Sequence, residues 1–351
     1  GSTSTSNRYA DVGGEGFLYD RRGNLTWDGR FHYVYDFQNR LSEVYEPVVA
    51  QSSQQGGGAA SLQGSSTQQS FGPELGTKSA PKQPLTPSEF ASASQSIIGA
   101  ADFSWSGLIQ EQVRKNQAST GLLSASTSRP DVQLQLSAFY GYDSQNRRVI
   151  RYVEGTAVWF TAWDGWSQAV DTRIVSSGQG APYLGHAKQY VWGSTLDELV
   201  AYRRSVNGTG PWMGYRVAVD GANGVTRVLD DSGVNREGVE YGSYGEPAWF
   251  GFDSGGASPS ISSASQLGLP IAYKGAHHDD ETGLFFRWNR FWSAALGRFL
   301  SPDPIGIWGD PINLGNAYAY VGVNPLTRID PMGLQSFEQL VGMSRSGGGV
   351  S

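Results

Sequence analysis

A seven-residue stretch near the start of the chain predicts how most of it folds: Tyr19-Asp20-Arg21-Arg22-Gly23-Asn24-Leu25. It recurs at 35–41 and 142–148, and shorter copies without the leading Tyr stand at 220–223 and 230–233. All copies share Asp-x-x-Gly or Asp-x-x-Asn, in which the Asp side chain caps a turn and Gly or Asn accepts a left-handed backbone. Alternating residues flank the copies, so each is predicted to be a strand, a tight turn and a returning strand. Hairpins repeated in this way stack edge to edge into an extended antiparallel sheet.

The composition supports a β-rich chain and excludes several classes of function. Among 351 residues there are 47 Gly, 11 Trp, 17 Tyr and 15 Phe, while only 17% are charged, which favours many short strands over long surface helices. The absence of Cys excludes a disulfide framework and a thiolate nucleophile. The net charge of −6 gives no electrostatic footprint for nucleic acid. No apolar run approaches the ~18 residues of a membrane-spanning helix.

Changes in composition divide the chain into five parts. A long internal tract is dominated by Ser, Gln and Gly, and it cannot bury enough apolar surface to offset its ordering entropy, so we predict a disordered insertion there. The predicted parts are repeats at 1–47, the insertion at 48–136, repeats at 137–265, a motif-rich region at 266–334 and a polar tail at 335–351.

The motif-rich region carries a second pattern, in three runs. The first is Gly275-Ala276-His277-His278-Asp279-Asp280-Glu281-Thr282-Gly283-Leu284-Phe285-Phe286-Arg287-Trp288-Asn289-Arg290-Phe291. The second is Leu296-Gly297-Arg298-Phe299-Leu300-Ser301-Pro302-Asp303-Pro304-Ile305-Gly306, and the third is Asp330-Pro331-Met332-Gly333-Leu334. With the Tyr-Asp repeats, these runs resemble the RHS/YD-repeat family and its RHS-associated core domain, including both DPxG motifs in order. The segment at 307–316, between the two motifs, is a few residues longer than the family pattern.

The resemblance implies an all-β fold and a self-cleaving activity. In the family, antiparallel YD-repeat hairpins form a spiralling β-shell and the core domain curls inward as a plug. In toxin-bearing members the shell encloses a C-terminal cargo, and the core cuts the chain just after DPxGL with the two DPxG aspartates and a nearby Arg. Carried to this chain, the resemblance implies Asp303 and Asp330 as catalytic residues, Arg298 as the positioning residue and cleavage between Leu334 and Gln335. Complete shells are far longer, so we expect this chain to be a terminal segment of one.

The resemblance also implies partners and a location. The implied partners are the chain's own C-terminal segment or a toxin cargo, with a second, shell-closing protein as a further candidate, and neither a nucleic acid nor a cofactor is expected. The resemblance implies a secreted or bacterial cell-surface protein, and no signal-peptide pattern is visible in residues 1–18. The tail at 335–351 is too short to fold as a toxin, so we expect a removed or missing cargo.

The two DPxG aspartates also have an interpretation without chemistry. Two carboxylates that converge on one water can share a proton and act as acid and base. Asp-Pro-x-Gly is equally a good turn, since Asp caps it and Pro sets φ. The alternative function is therefore a non-catalytic structural or cell-surface, carbohydrate-binding β-repeat module. A third Asp-Pro pair, Asp310-Pro311, lacks the following Gly and is interpreted as structural.

Two further clusters favour a structural interpretation. The run at 277–281 contains two His and three acids, but neighbouring strand residues point to opposite faces and rarely converge on one metal ion, so no metal site is predicted. A set of aromatic residues could bind carbohydrate, but cross-strand aromatic pairs more often stabilise a sheet. This set comprises Trp159, Phe160, Trp163, Trp166 and Trp192.

Overall fold

The computed structural model describes the repeats and the motif-rich region. The described residues are 8–9, 11–12, 15–49, 132–153, 157–175, 183–205, 211–252, 259–262 and 264–338. Most of the predicted insertion and the tail beyond residue 338 lie outside the described residues. The strand before the insertion ends at Val49, the strand after it begins at Val132, and the two pair with each other. Residues 48–49 and 132–136 of the predicted insertion are therefore strand residues.

Fifteen strands of the described chain form one antiparallel sheet in which sequence neighbours are spatial neighbours throughout. A separate pair of two-residue strands, β1 (Asp11–Val12) and β2 (Glu15–Gly16), precedes it. The strands of the large sheet are β3 (Leu18–Tyr19), β4 (Leu25–Trp27), β5 (His32–Tyr35), β6 (Leu41–Val49), β7 (Val132–Tyr142), β8 (Arg148–Val153), β9 (Ala157–Asp164), β10 (Ser167–Val175), β11 (Tyr183–Trp192), β12 (Leu199–Ser205), β13 (Trp212–Val219), β14 (Val225–Asp230), β15 (Asn235–Tyr241), β16 (Pro247–Phe252) and β17 (Pro259–Ser262). The predicted all-β, antiparallel fold is confirmed.

A smaller sheet follows in the motif-rich region. It consists of β18 (His277–Asp279), β19 (Leu284–Arg287), β20 (Arg290–Ser293) and β21 (Arg298–Phe299), and a separate pair is formed by β22 (Arg328–Ile329) and β23 (Phe337–Glu338). Short 3-10 turns lie at Tyr273–Gly275, Pro311–Asn313 and Val321–Val323. No helix in the described ranges is both long and apolar enough to cross a bilayer.

The repeat turns have the predicted geometry. In the second copy, the Asp36 carbonyl accepts the Asn39 N–H at 3.0 Å and the Asp36 carboxylate accepts the Arg40 N–H at 2.9 Å. Asn39 stands at φ 70°, in the left-handed region. The same bonds recur in the copies that begin at Asp143 and Asp220, so the Asp and the Gly or Asn are fixed by one turn chemistry.

The Tyr of each repeat links it to the repeat before, a role that the sequence pattern did not predict. The Tyr35 hydroxyl donates to the Leu25 carbonyl at 3.0 Å, just past the preceding turn. The Tyr142 hydroxyl donates to the equivalent Leu41 carbonyl at 2.6 Å. Each Tyr therefore satisfies a backbone carbonyl of its neighbour, which holds successive hairpins in register.

The small sheet lies between two parts of the large one. Leu284, Phe286 and Phe291 pack on one side, in a cluster with early-strand residues Leu25, Tyr33, Leu41, Val44 and Tyr140. Phe285 and Trp292 point the other way because side chains alternate along a strand, and they pack in a cluster with later-strand residues Tyr202, Tyr215, Val228, Val239 and Trp249. The large sheet therefore curls around the small sheet and covers both of its faces.

Candidate functional site

The two DPxG aspartates meet at one buried arginine, Arg290, the first residue of β20. Its Nη2 lies 2.9 Å from Asp303 Oδ2 and 3.4 Å from Asp330 Oδ2. Asp303 follows β21 and Asp330 follows β22, so the two motifs reach Arg290 from different strands. The fold brings together two aspartates that are 27 positions apart in sequence, and the same guanidinium nitrogen lies close to both carboxylates.

Arg290 is fixed by contacts on every side of its guanidinium. Nε donates to the Gly333 carbonyl at 2.5 Å and Nη1 donates to the Ala317 carbonyl at 3.0 Å. The guanidinium carbon lies 3.6 Å from the centre of the Phe299 ring. A planar fork of donors suits this arrangement, since its three nitrogen atoms reach acceptors in different directions.

The chain segment around Leu334 is held residue by residue. Asp330 Oδ1 accepts the Leu334 N–H at 2.9 Å and the Gln335 N–H at 3.2 Å. The backbone N–H and the side-chain amide of Asn289 both donate to the Met332 carbonyl, at 3.3 and 3.0 Å. The bond between Leu334 and Gln335, at which the resemblance implies cleavage, thus has an Asp330 oxygen within hydrogen-bond distance of its nitrogen.

Burial changes the proton affinity of both carboxyl groups. It raises the pKa of Asp303 above the ordinary value, although the charge of Arg290 opposes this rise. It raises the pKa of Asp330 to about 6, against the opposing effects of Arg290 and the Leu334 N–H and with a further contribution from the negative charge of Asp303. The pair therefore holds a proton more readily than two exposed aspartates would, as acid and base catalysis by carboxyl groups requires.

The structure brings together four of the five residues that the sequence analysis singled out. Asp303 and Asp330 contact Arg290, and Leu334 and Gln335 donate to Asp330. Arg298 lies elsewhere, with its guanidinium carbon 4.1 and 4.5 Å from the ring centres of Tyr9 and Tyr318.

Arg290 and Asn289 are not among the site residues predicted from the sequence. One signal was available, because Arg287 and Arg290 are the two charged residues of the largely aromatic run at 284–293, and both are buried in the structure. Buried cations need acceptors, which marks such positions as candidates for a built site.

The DPxG turns use the same chemistry as the repeat turns. The Asp303 carbonyl accepts the Gly306 N–H at 3.0 Å and its Oδ1 accepts the Ile305 N–H at 3.1 Å, and Gly306 stands at φ 92°. Asp330 accepts the N–H four positions on, as Asp36 does. What distinguishes the two DPxG aspartates is burial, since the Asp330 side chain is fully buried and the Asp303 side chain is 3% exposed.

The run at 277–281 forms ion pairs with the large sheet. Arg148 of β8 binds Asp279 with two hydrogen bonds of 2.6 and 3.0 Å, and Arg151 lies 3.1 Å from Glu281. Burial and the charge of Arg148 lower the pKa of His277 to about 4. Among the described residues, no group of three or more His, Asp or Glu is arranged to hold a metal ion.

The aromatic set lies against the small sheet. The rings of Trp163 and Trp166 lie 4.8 and 4.9 Å from that of Trp288, between centroids. The indole N–H groups of Trp163 and Trp192 donate to the backbone carbonyls of Arg148 and Gln168. These contacts fit a packing role for Trp163 and Trp192, while Trp166 remains 55% exposed.

Comparison with known proteins finds relatives among toxins. A stretch of 65 residues, 18% of this chain, is 40% identical to 5% of "Toxin protein Tse5" of Pseudomonas aeruginosa. A stretch of 64 residues, also 18% of this chain, is 45% identical to 4% of "Probable deoxyribonuclease RhsB" of Dickeya dadantii. Each match therefore spans only a small part of the relative. No family model matches the chain.

A solved structure shares the fold. The crystal structure of TcdB2-TccC3-Cdc42 contains a chain that superposes on 90% of this one with a TM-score of 0.50. The sequence identity is 14%, and the superposed part is 11% of that chain.

Proposed function

We propose that this chain, which shares sequence with an Rhs relative and its fold with the TcdB2-TccC3-Cdc42 structure, is the C-terminal part of an RHS/YD-repeat shell and cuts its own backbone between Leu334 and Gln335. The observation that carries the proposal is the meeting of Asp303 and Asp330 at Arg290, with an Asp330 oxygen 3.2 Å from the Gln335 nitrogen. A bond to be hydrolysed then lies beside two buried carboxyl groups with raised pKa and a fixed cation.

The proposal gives each carboxyl group its own role. Asp303, as the carboxylate, takes a proton from a water that attacks the carbonyl carbon of Leu334. Asp330 lies beside the Gln335 nitrogen, whose N–H donates to Oδ1 in the uncut chain. Once the water has added and the nitrogen has become tetrahedral, with its lone pair towards the carboxyl group, protonated Asp330 gives it a proton as the carbon–nitrogen bond breaks. One water is consumed, and the products are a new carboxyl group on Leu334 and a new amine on Gln335.

Arg290 serves this reaction as a positioning residue. Its ion pair keeps Asp303 ionised against the effect of burial, and its bond to the Gly333 carbonyl fixes the chain next to the residue that is cut. The same cation contacts Asp330 at a longer distance, 3.4 Å, which leaves Asp330 as the carboxyl group more easily protonated.

The proposed product is a core that has released the segment following Leu334 from its covalent attachment. Since one relative is named a toxin protein and another a probable deoxyribonuclease, that segment is proposed to be, or to lead into, a toxin cargo held by the shell. A secreted or cell-surface location and a second protein that closes the shell belong to the same proposal.

The test is the intact mass of the purified protein at neutral pH, for the wild type and for Asp303→Asn and Asp330→Asn. We expect the wild type to lose residues 335–351 and both variants to keep them. Neutral conditions are needed because acid breaks Asp-Pro bonds, which would give fragments ending at Asp303, Asp310 or Asp330 instead.

A matched control is Asp220→Asn. Asp220 caps a repeat turn with the same bonds as the DPxG aspartates but is exposed, so its variant should cleave like the wild type. A wild-type chain that stays full-length after long incubation, while folded by circular dichroism, would contradict the proposal.

The alternative function is a structural module without live chemistry. It is favoured by one observation: each DPxG aspartate caps its turn with some of the bonds that the repeat aspartates make. In that case Asp303, Asp330 and Arg290 are a buried ion-pair lock that holds the core in the shell, and the full-length wild type of the previous experiment is the expected result.

A further inference from the structure

Asp310, which the sequence analysis interpreted as structural, binds the segment beyond the proposed cleavage point. Its Oδ2 accepts the Ser336 N–H at 3.0 Å and the Ser336 hydroxyl at 2.6 Å. Ser336 is the second residue after the Leu334–Gln335 bond, and it is 7% exposed. A buried carboxylate with two bonds to one residue of the segment has the form of a binding site.

The rest of Asp310 is fixed by its own loop. Oδ1 accepts the Ile312 N–H at 3.0 Å and caps the 3-10 turn at Pro311–Asn313, while the Asn313 amide donates to Oδ2 at 2.8 Å. The acceptor that faces Ser336 is therefore held in place by the turn, and it does not depend on Ser336 for its position.

The loop also contacts the residue between the cut and Ser336. The Gln335 side-chain amide donates to the Gly309 carbonyl at 3.3 Å. Asp310 is close enough to the aspartate pair that its charge is one of the causes, after burial, that raise the pKa of Asp303. The loop that carries Asp310 therefore adjoins both the segment that is cut and the groups proposed to cut it.

We propose that Asp310 and its turn form a subsite for the second residue after the cleavage point, and that this subsite selects a side chain with a hydroxyl group. The inference rests on the proposed self-cleavage and deepens it. Asp310 does not touch the scissile bond, so it is a positioning residue: it holds Ser336, and through Ser336 it keeps the Gln335 nitrogen beside Asp330.

Substitutions of Ser336 test the subsite without altering the loop. The rate of cleavage is followed by intact mass after the denatured chain is diluted into neutral buffer, for Ser336→Thr, Ser336→Val and Ser336→Ala. Thr and Val have the same shape, so their difference isolates the hydroxyl group. We expect Thr to cleave within about threefold of the wild type and Val and Ala to cleave about tenfold more slowly, as for a lost hydrogen bond to a charged group.

Equal rates for Thr, Val and Ala, with an active wild type, would overturn the subsite and leave the proposed self-cleavage intact. A wild type that does not cleave would overturn the proposed function instead. Binding of Ser336 by Asp310 is then tested by amide hydrogen exchange in the Asp303→Asn background. This substitution suits the test because the hydrogen bonds of Ser336 are to Asp310 and not to Asp303 in the described part of the chain. Faster exchange at residues 335–338 in Ser336→Val than in Ser336→Thr would support the subsite, and equal exchange would overturn it.

Discussion

Arg290 and Arg298 are eight positions apart in the same small sheet, but their surroundings give them different chemistry. Arg290 is completely buried and its nitrogen atoms reach two carboxylates and two backbone carbonyls. Arg298 lies over two aromatic rings, one of which belongs to the exposed Tyr9. The two rings that Arg298 contacts belong to residues other than the two aspartates, so replacing Arg298 with Lys changes contacts away from Asp303 and Asp330.

We therefore predict opposite results for the two Arg-to-Lys variants. Arg290→Lys should cleave at least a hundredfold more slowly than the wild type, because one ammonium group cannot reach Asp303, Asp330 and Gly333 together. Arg298→Lys should cleave within a few fold of the wild type. Both rates are measured by intact mass after refolding at neutral pH, with circular dichroism as the check on folding. A slow Arg298→Lys beside an active Arg290→Lys would restore the role that the resemblance implied for Arg298.

The sequence predicts the two aspartates and the bond between Leu334 and Gln335, but it does not predict that Arg290 is the cation between the aspartates. Asp303, Asp330 and Leu334 stand inside recurring motifs, and a motif fixes a residue by its neighbours in sequence. Arg290 acts through neighbours that are distant in sequence, since its partners follow β21 and β22. No local pattern distinguishes it from Arg287 or Arg298, and only the fold shows which guanidinium lies between the aspartates.

The repeated turn was predictable in detail because it is local chemistry. An Asp cap and a left-handed Gly or Asn lie within five residues, so the pattern alone determines the hairpin. The contacts on the outside of each turn depend on what packs there. Gly23 at φ 95° is crowded, with a hypothetical Cβ 2.8 Å from the Tyr318 hydroxyl oxygen and 3.0 Å from a Pro302 carbon. Gly233 at φ 79° occupies the same turn position, and a Cβ there would meet nothing within 4 Å.

These two glycines form a matched pair for a stability experiment. Gly233→Ala should lower the free energy of unfolding by about 1 kcal/mol, the cost of a left-handed backbone for Ala. Gly23→Ala should cost roughly 1–3 kcal/mol more, because the new methyl group displaces the Tyr318 hydroxyl that donates to the Gly23 carbonyl at 2.7 Å. The measurement is the shift of the denaturant midpoint in the Asp303→Asn background, so that all chains stay uncut. Equal losses for the two variants would show that Tyr318 does not hold the first repeat.

The packing partners of β19 and β20 could not be predicted from the sequence. Alternation predicted strands and hairpins, but β19 and β20 are buried on both faces and their alternation separates two cores rather than core from solvent. A pattern of apolar residues indicates that a strand is buried, but it does not show which strands of the large sheet pack against it.

Contacts across the whole molecule join the repeats to the proposed cleavage segment. Asn24 donates to Asn39 at 2.6 Å, Arg40 donates to Asn146 at 3.2 Å and Asn146 donates to Asn289 at 3.4 Å, so side chains of successive turns form a chain of hydrogen bonds. Asn289 ends this chain on the Met332 carbonyl. The residues that position the second DPxG motif are therefore continuous with the turns of the shell, and assembly of the repeats completes the site.

The second connection between shell and core is the buried ion pair of Arg148 and Asp279, with side chains 4% and 0% exposed. Asp279→Asn should lower the free energy of unfolding by about 3–5 kcal/mol, because it leaves the Arg148 charge buried without a counter-charge. Arg236→Gln, which removes the more exposed partner of Asp230, is the control and should cost about 1 kcal/mol or less. Both values come from denaturant midpoints at pH 7 in the Asp303→Asn background.

The pH dependence of this pair has a definite sign. Burial alone would raise the pKa of Asp279, but Arg148 and His277 lower it below its ordinary value of 3.8. The unfolded chain therefore takes up a proton at Asp279 before the folded chain does, so the stabilisation is complete above about pH 4 and is lost as the pH falls further. The difference in unfolding free energy between the protein with Asp279 and the Asp279→Asn variant should stay constant from pH 7 to 5 and shrink towards pH 3. A difference that grows in acid would mean that Asp279 is protonated in the folded protein, and its charge would then not be what holds the core to the shell.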